Sequence, residues 1–166
     1  MITLISGTNR AGSKTKLVAN YYQQYLEELQ IPYKYLSLEG LDVTSRNETL
    51  LAVEKDFLQP ANKFIFIIPE YNGSYPGILK LMMDHTDIRS IWWHKKALLT
   101  GVADGRAGNL RGLDHFTNVL NYLKINVYYN KLPISRINHE MDIDGNWKNE
   151  ATPFVIQEQL KGFLEF

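Results

Sequence analysis

The chain of 166 residues contains no cysteine, so disulfides, thiolate metal ligands and a cysteine nucleophile are excluded. It also lacks an excess of charge, because 18 Lys and Arg residues balance 18 Asp and Glu residues. A neutral chain argues against bulk electrostatic binding to nucleic acid or to an anionic membrane. No apolar run approaches the length of a membrane span, and nothing resembles a signal peptide. We therefore expect a cytoplasmic enzyme that folds as one domain, residues 1–166.

Signals for several common chemistries are missing as well. The four histidines show no metal-ligand spacing, so no metal site is expected. No serine stands in the Gly-x-Ser-x-Gly turn of the serine hydrolases. Residues 7–15 resemble a nucleotide-binding P-loop, but Ser13 displaces Lys14 by one position. The central apolar run also ends without a metal-binding aspartate, which disfavours a P-loop nucleotide hydrolase.

Apolar runs alternate with helical patterns along the chain. We predict strands at Ile2–Ser6, Tyr33–Leu38, Phe64–Ile68, Ala97–Thr100 and Asn126–Tyr129. We predict helices at Ser13–Gln30, Asn47–Leu58, Gly77–Arg89, Leu110–Leu123 and Thr152–Phe166. The least regular segment is Leu132–Asn149, which includes a predicted turn. This order of elements predicts an α/β protein with a five-stranded parallel sheet.

Polar, glycine-bearing segments follow the first, third and fourth predicted strands. The carboxyl ends of parallel strands share one edge of the sheet, where α/β proteins bind their ligands. The first segment, SGTNRAGSKT at residues 6–15, enters a helix. Its glycines let a phosphate approach the backbone, while its hydroxyls, Arg10 and the helix amino terminus supply donors and positive charge. The alternative interpretation is an ordinary strand-to-helix turn with Ser13 as the helix cap.

The other two segments add features of a ligand site. Residues 69–80, PEYNGSYPGILK, form a stiff loop whose Tyr71 and Tyr75 offer flat faces to an aromatic ligand. A proline–glycine turn with surface tyrosines is the alternative. Residues 100–109, TGVADGRAGN, contain three glycines, which suggests a backbone wrapped closely around a ligand. Together the three segments predict a pocket for a flat, phosphorylated molecule.

At these segments the chain resembles the NAD(P)H-dependent FMN reductases, a group that includes quinone, chromate and azo-dye reductases. Residues 7–13 resemble the phosphate loop of that family, and residues 69–80 resemble its isoalloxazine loop. The resemblance implies a flavodoxin-like three-layer sandwich with strand order 2-1-3-4-5 and bound FMN. It implies that the phosphate contacts Thr8, Arg10, Ser13 and Thr15. It implies that the ring system contacts Pro69, Glu70, Tyr71, Asn72 and Gly73.

Three further residues complete the predicted cofactor site, namely Lys14, Gly101 and Arg106. Where the family usually has a Gly-Gly pair, this chain has residues 105–109, GRAGN, so Arg106 is a candidate contact to the flavin, to the phosphates of the donor or to the substrate. No side chain is expected to act as a catalytic acid or base, because the flavin carries the redox chemistry.

The resemblance implies a reductase that takes a hydride from NAD(P)H and passes electrons to a small-molecule acceptor such as a flavin or quinone. The alternatives are a flavodoxin-like FMN electron carrier without nicotinamide activity, and an interaction module that has lost its flavin. We expect FMN rather than FAD or riboflavin. A homodimer or a dimer of dimers is also expected, with Trp92 and Trp93 forming an apolar surface beside the isoalloxazine loop.

Overall fold

A parallel sheet forms the centre of the protein in the computed structural model, which describes residues 1–166. Its strands are β1 (Ile2–Ser6), β2 (Tyr33–Ser37), β3 (Lys63–Pro69), β4 (Lys96–Val102), β5 (Asn126–Val127) and β6 (Leu132–Ile134). The strand order is β2-β1-β3-β4-β5, and β6 also pairs with β4. All paired strands run parallel. The predicted parallel sheet and its order 2-1-3-4-5 are confirmed.

Seven helices cover the sheet. They are α1 (Lys14–Glu28), α2 (Glu48–Val53), α3 (Gly77–His85), α4 (Ile88–Ile91), α5 (Leu110–Tyr122), α6 (Ile137–Glu140) and α7 (Ala151–Glu165). A π-helical turn, Glu54–Leu58, continues α2. None of these helices has the length and apolar character needed to cross a membrane.

The central strand β3 shows why the fold has three layers. Residues 64–68 are fully buried and uninterruptedly apolar, as expected for a strand covered on both faces. Successive side chains point to opposite faces. Phe64 and Phe66 therefore pack among side chains of α2, α3 and α5, while Ile65 and Ile67 pack among those of α1 and α7. The predicted flavodoxin-like three-layer arrangement is confirmed.

Two short strands pair with β4 where the sequence predicts a single fifth strand. β5 has only two residues and pairs with Lys96 and Ala97 at the start of β4. β6 pairs with residues 100–102 at the end of the same strand. The segment that contains β6 showed no strand pattern, because three residues around Pro133 are too short for a period to be read. Its pairing with β4 is a long-range contact.

The predicted helix Gly77–Arg89 is in fact two helices. α3 ends at His85, and Thr86 adopts an extended backbone with ψ of 158°. The Thr86 hydroxyl donates to the Met83 carbonyl and accepts the indole N–H of Trp92, each at 2.9 Å. Asp87 then caps α4 by accepting the Ser90 N–H at 2.7 Å. Tertiary hydrogen bonding at Thr86 thus interrupts an otherwise helical pattern.

The Trp92–Trp93 pair lies at the opposite edge of the sheet from the isoalloxazine loop, so its predicted location was wrong. Both residues precede β4, and residues before a parallel strand lie at its amino-terminal edge. Trp92 is fully buried, and Trp93 lines a shallow depression with Lys63 and Lys96, the first residues of β3 and β4. The indole of Trp93 lies 3.6 Å from the Lys124 ammonium group. This pair therefore contributes nothing to a surface beside the loop after β3.

Candidate functional site

An open cleft of about 250 Å³ lies at the carboxyl edge of the sheet, where β1, β3 and β4 end. Its walls come from the loop after β1, the start of the loop after β3 and the end of β4. The predicted residues that line it are Arg10, Ser13, Lys14, Thr15, Pro69, Glu70 and Tyr71. The lining residues that sequence reasoning missed are Ala11, Val102, Ala103, Asp104, Ile137 and Asn138. Most predicted phosphate-loop residues are therefore brought together in one cleft.

The predicted phosphate loop, residues 7–13, connects β1 to the amino terminus of α1. The Ser13 hydroxyl accepts the Lys16 N–H at 3.2 Å, so Ser13 is the cap of α1, as the alternative interpretation expected. A capping hydroxyl still has a proton to donate, so the two interpretations are compatible. Thr15 is buried in the first turn. The first amides of α1 have no partner within the helix and lie beside the cleft. This arrangement provides donors and a positive helix end.

Tyr71 points its hydroxyl into the phosphate loop. That hydroxyl forms a hydrogen bond with Thr8 Oγ1, and the Thr8 oxygen also accepts the Arg10 backbone N–H at 3.2 Å. The Arg10 guanidinium stacks on the Tyr71 ring, with its carbon 3.9 Å from the ring centroid. Tyr71 thus links the loop after β3 to the loop after β1. The sequence had placed this side chain at the flavin ring system.

The isoalloxazine loop turns sharply at Asn72 and Gly73. Tyr71 and Ser74 exchange backbone hydrogen bonds of 2.9 and 3.2 Å, and the two residues between them have positive φ angles of 53° and 78°. An Asn-Gly pair with both φ angles positive is the composition of a type I′ turn. The backbone N–H groups of Asn72 and Gly73 take part in none of the backbone hydrogen bonds. They remain as free donors at the tip of the loop.

Gly101 has a packing role that explains its lack of a side chain. It is buried within β4, and a Cβ there would lie 2.3 Å from the Gly108 carbonyl oxygen. The loop after β4 can therefore pack closely against the strand. At the end of this loop, the side-chain amide of Asn109 donates to the Ile68 and Pro69 carbonyls at 3.0 Å each. The Asn109 backbone N–H donates to the Glu70 carboxylate at 3.2 Å. Glu70 and Asn109 therefore join the second and third loops.

Arg106 stands apart from the cleft. It is exposed and does not belong to the cleft lining. In the same loop, Asp104 does line the cleft and accepts the Asn138 side-chain amide at 2.7 Å. Asn138 belongs to α6, in a segment whose sequence carried no signal of a site. Its position follows from the long-range pairing of β6 with β4.

Lys14 connects the phosphate loop to a hairpin near the carboxyl end of the chain. Its ammonium group donates to the carbonyl of Asp142, and Met141 pairs with Trp147 across the hairpin. The Asp142 carboxylate accepts hydrogen bonds from the side-chain amide and from the backbone N–H of Asn146. These bonds, the side-chain one most, hold the pKa of that carboxyl below its ordinary value. Lys14 therefore has a structural partner in addition to its place in the cleft.

The fold is that of a flavodoxin-like α/β protein, and its cleft lies where the carboxyl ends of β1, β3 and β4 meet. Residues 1–138 match the family described as NADPH-dependent FMN reductase, so the chain belongs to that family.

Individual relatives agree with this family. A 2-hydroxy-1,4-benzoquinone reductase of Burkholderia sp is 26% identical over 167 residues, which cover 94% of this chain and 90% of that protein. An NAD(P)H-dependent FMN reductase of Schizosaccharomyces pombe is 34% identical over 92 residues, covering 55% of this chain and 43% of its own length. The solved structure of FerB, a flavoenzyme NAD(P)H:(acceptor) oxidoreductase from Paracoccus denitrificans, has a TM-score of 0.84 at 20% identity, covering 99% and 94% of the chains. This likeness shows the shared fold.

Proposed function

We propose that this protein is an FMN-dependent oxidoreductase that takes a hydride from NAD(P)H and passes electrons to a quinone, a flavin or a similar small acceptor. The observation that carries the proposal is the junction of Arg10, Thr8 and Tyr71 at the amino terminus of α1. Family membership supplies the reaction class.

The phosphate end of the cleft fits FMN. Arg10 and Lys14 bring two cationic side chains to the end formed by the phosphate loop, where the free amides of α1 also lie. The two acidic residues that line the cleft already have donors, since Glu70 accepts from Asn109 and Asp104 accepts from Asn138. Neither Arg10 nor Lys14 forms an ion pair, so both charges are available to a phosphate dianion.

The ring end of the site consists mainly of backbone. FMN held there would supply the redox chemistry, namely hydride acceptance from NAD(P)H and electron transfer to the second substrate. The free N–H groups of Asn72 and Gly73 would donate to ring heteroatoms and stabilise negative charge there. The I′ turn holds these donors in place before the ligand arrives. Glu70 and Asn109 keep the loop against its neighbour and so limit its movement.

A spectroscopic titration tests the proposal. Purified protein is mixed with FMN, FAD and riboflavin in separate titrations, and FMN should bind most tightly. NADH or NADPH is then added without oxygen, and the visible absorption band of bound FMN should disappear. Reoxidation by a quinone should restore it. If FMN binds but neither nicotinamide bleaches it, the protein is an electron carrier; if no flavin binds, the interaction module remains.

The proposal extends to assembly and location. A homodimer or a dimer of dimers is proposed from the family resemblance, and Trp92 and Trp93 no longer support it at the flavin edge. Light scattering at micromolar protein concentration measures the assembly directly, and a monomer with full activity would contradict it. A cytoplasmic location is proposed because the donor NAD(P)H is an intracellular reductant.

A further inference from the structure

The amino terminus of α5 packs directly against the isoalloxazine loop. A Cβ on Gly112 would lie 2.8 Å from the carbonyl carbon of Ser74, so the two backbones are in close contact there. One turn later, Nδ1 of His115 lies 2.9 Å from the Ser74 hydroxyl. These contacts hold the Asn72–Gly73 turn against the first two turns of α5.

Arg111 brings a cationic group to the tip of the same turn. One guanidinium nitrogen of Arg111 lies 2.9 Å from the position that a Cβ on Gly73 would occupy. The guanidinium of Arg111, which belongs to α5, thus lies beside the turn whose backbone N–H groups, those of Asn72 and Gly73, are free.

The charge of Arg111 has no compensation in the fold. The residue is exposed, and none of the ion pairs of the protein includes it. Asp114, on the next turn, pairs with Lys131 instead, at 3.0 Å. Arg111 also lies in the first turn of α5, which contains no acidic residue. The helix dipole disfavours a cation at this end. The charge of Arg111 is therefore available to an anionic ligand bound beside the two free donors of the turn.

We propose that Arg111 raises the reduction potential of bound FMN by placing positive charge behind the Asn72–Gly73 turn. The inference rests on the proposed function, because it needs FMN at this loop. The hydride from NAD(P)H brings two electrons and one proton, so the bound cofactor gains one negative charge as NAD(P)⁺ leaves. A nearby cation stabilises the reduced form more than the oxidised form. The positive end of α5 acts in the same direction.

The test measures the midpoint potential of bound FMN in the wild-type protein and in variants. Arg111→Gln removes the charge and retains much of the side-chain length, whereas Arg111→Lys retains the charge. Arg89→Gln is the matched control, because Arg89 is an exposed arginine next to Trp93 at the opposite edge of the sheet. We expect Arg111→Gln to lower the potential, Arg111→Lys to retain most of it, and Arg89→Gln to leave it unchanged.

The change in midpoint potential is set by the relative affinities of the protein for reduced and for oxidised FMN. A tenfold loss in the preference for reduced over oxidised FMN corresponds to about 30 mV for a two-electron couple. The same preference is measured independently as the ratio of the dissociation constants of oxidised FMN and of FMN reduced with dithionite. This second measurement remains possible if Arg111→Gln binds FMN weakly, because both titrations can be run at high FMN concentration.

Two results would overturn the inference. One is an unchanged potential in Arg111→Gln with FMN still bound. The other is a raised Michaelis constant for NAD(P)H at an unchanged potential, which would assign Arg111 to the donor instead. Failure of the proposed function is a different result, since the wild-type protein would then bind no FMN or would not be reduced by NADH or NADPH.

Discussion

The guanidinium carbon of Arg10 lies 3.9 Å from the centroid of the Tyr71 ring, although the two residues follow different strands. The contact with the ring holds the Arg10 side chain in one place, so it loses less freedom when it binds an anion. The same tyrosine forms a hydrogen bond with Thr8. The loop after β3 therefore supports the loop after β1, and we expect phosphate binding to depend on both loops.

Arg10 should determine the preference for FMN over riboflavin. A charge-assisted contact to a phosphate contributes about 1.5–3 kcal/mol, so Arg10→Ala should weaken FMN binding about tenfold to a hundredfold. Riboflavin has no phosphate, and its affinity should hardly change. Fluorescence titration with both ligands measures this, with Arg89→Ala as the control. Equal losses for both ligands would show that Arg10 does not reach the phosphate.

Tyr71→Phe should separate two roles for this residue. The variant keeps the ring that supports Arg10 but removes the hydroxyl that meets Thr8. Loss of one neutral hydrogen bond should weaken FMN about twofold to tenfold. If the hydroxyl serves the phosphate, riboflavin binding should stay constant. A parallel loss for riboflavin would place Tyr71 at the ring system, as the sequence alone suggested.

Gly73→Val should abolish FMN retention while the fold stays intact. Gly73 has a φ of 78°, which a β-branched residue adopts only with strain, and the added side chain would also displace Arg111. Gly40→Val is the matched control, because Gly40 has a φ of 75° but nothing within 4 Å of its Cβ position. Circular dichroism and the flavin content after purification measure the two effects. A Gly73→Val protein that still purifies with FMN would contradict the placement of this loop.

Turnover should follow a ping-pong scheme, because the chain has no cysteine and no metal-binding cluster to store electrons. We retain the prediction that Arg106→Ala raises the Michaelis constant for NAD(P)H more than that for the acceptor. Arg106 is exposed and lies outside the cleft, so we expect it to meet the phosphates of the donor rather than the flavin. Initial rates at varied donor and acceptor concentrations test both statements. Intersecting rather than parallel double-reciprocal lines would rule out the ping-pong scheme.

Tyr22 should control stability without affecting the flavin. Its buried hydroxyl lies 2.7 Å from Thr100 Oγ1 and donates to Gln159 Oε1 at 2.6 Å, which joins α1, β4 and α7. Tyr22→Phe should lower the free energy of unfolding by about 1–3 kcal/mol. FMN affinity should not change, because none of these three residues lines the cleft. Chemical denaturation of the apoprotein and FMN titration give the two values.

Tyr22 should also make the free energy of unfolding fall at alkaline pH. Burial raises the pKa of the Tyr22 phenol in the folded protein. The stabilisation is complete below the unfolded value of about 10 and is lost as the pH rises above it, because only the unfolded phenol ionises readily there. Tyr22→Phe should therefore lose less stability than the wild-type protein between neutral and alkaline pH. An identical decline in both proteins would assign the effect to other tyrosines.

The sequence was sufficient to predict the order of the main elements and the edge that holds the site. Both follow from local chemistry and geometry. The continuous apolar run at residues 64–68 predicts a strand buried on both faces, and Ser13 marks the start of a helix. The carboxyl ends of parallel strands share an edge, so the loops after β1, β3 and β4 had to meet. The Asn72–Gly73 pair likewise carries its own turn signal.

Only the tertiary structure decided where individual side chains point and which distant segments meet. Tyr71 reaches the phosphate loop, Asn138 enters the cleft, and Arg111 lies against Gly73, although none of these pairs is close in sequence. The location of Trp93 follows from topology rather than from its apolar character. Hydrophobic period and turn chemistry act over a few residues, whereas these contacts depend on the register of β4 with β6 and on the packing of α5 against a loop.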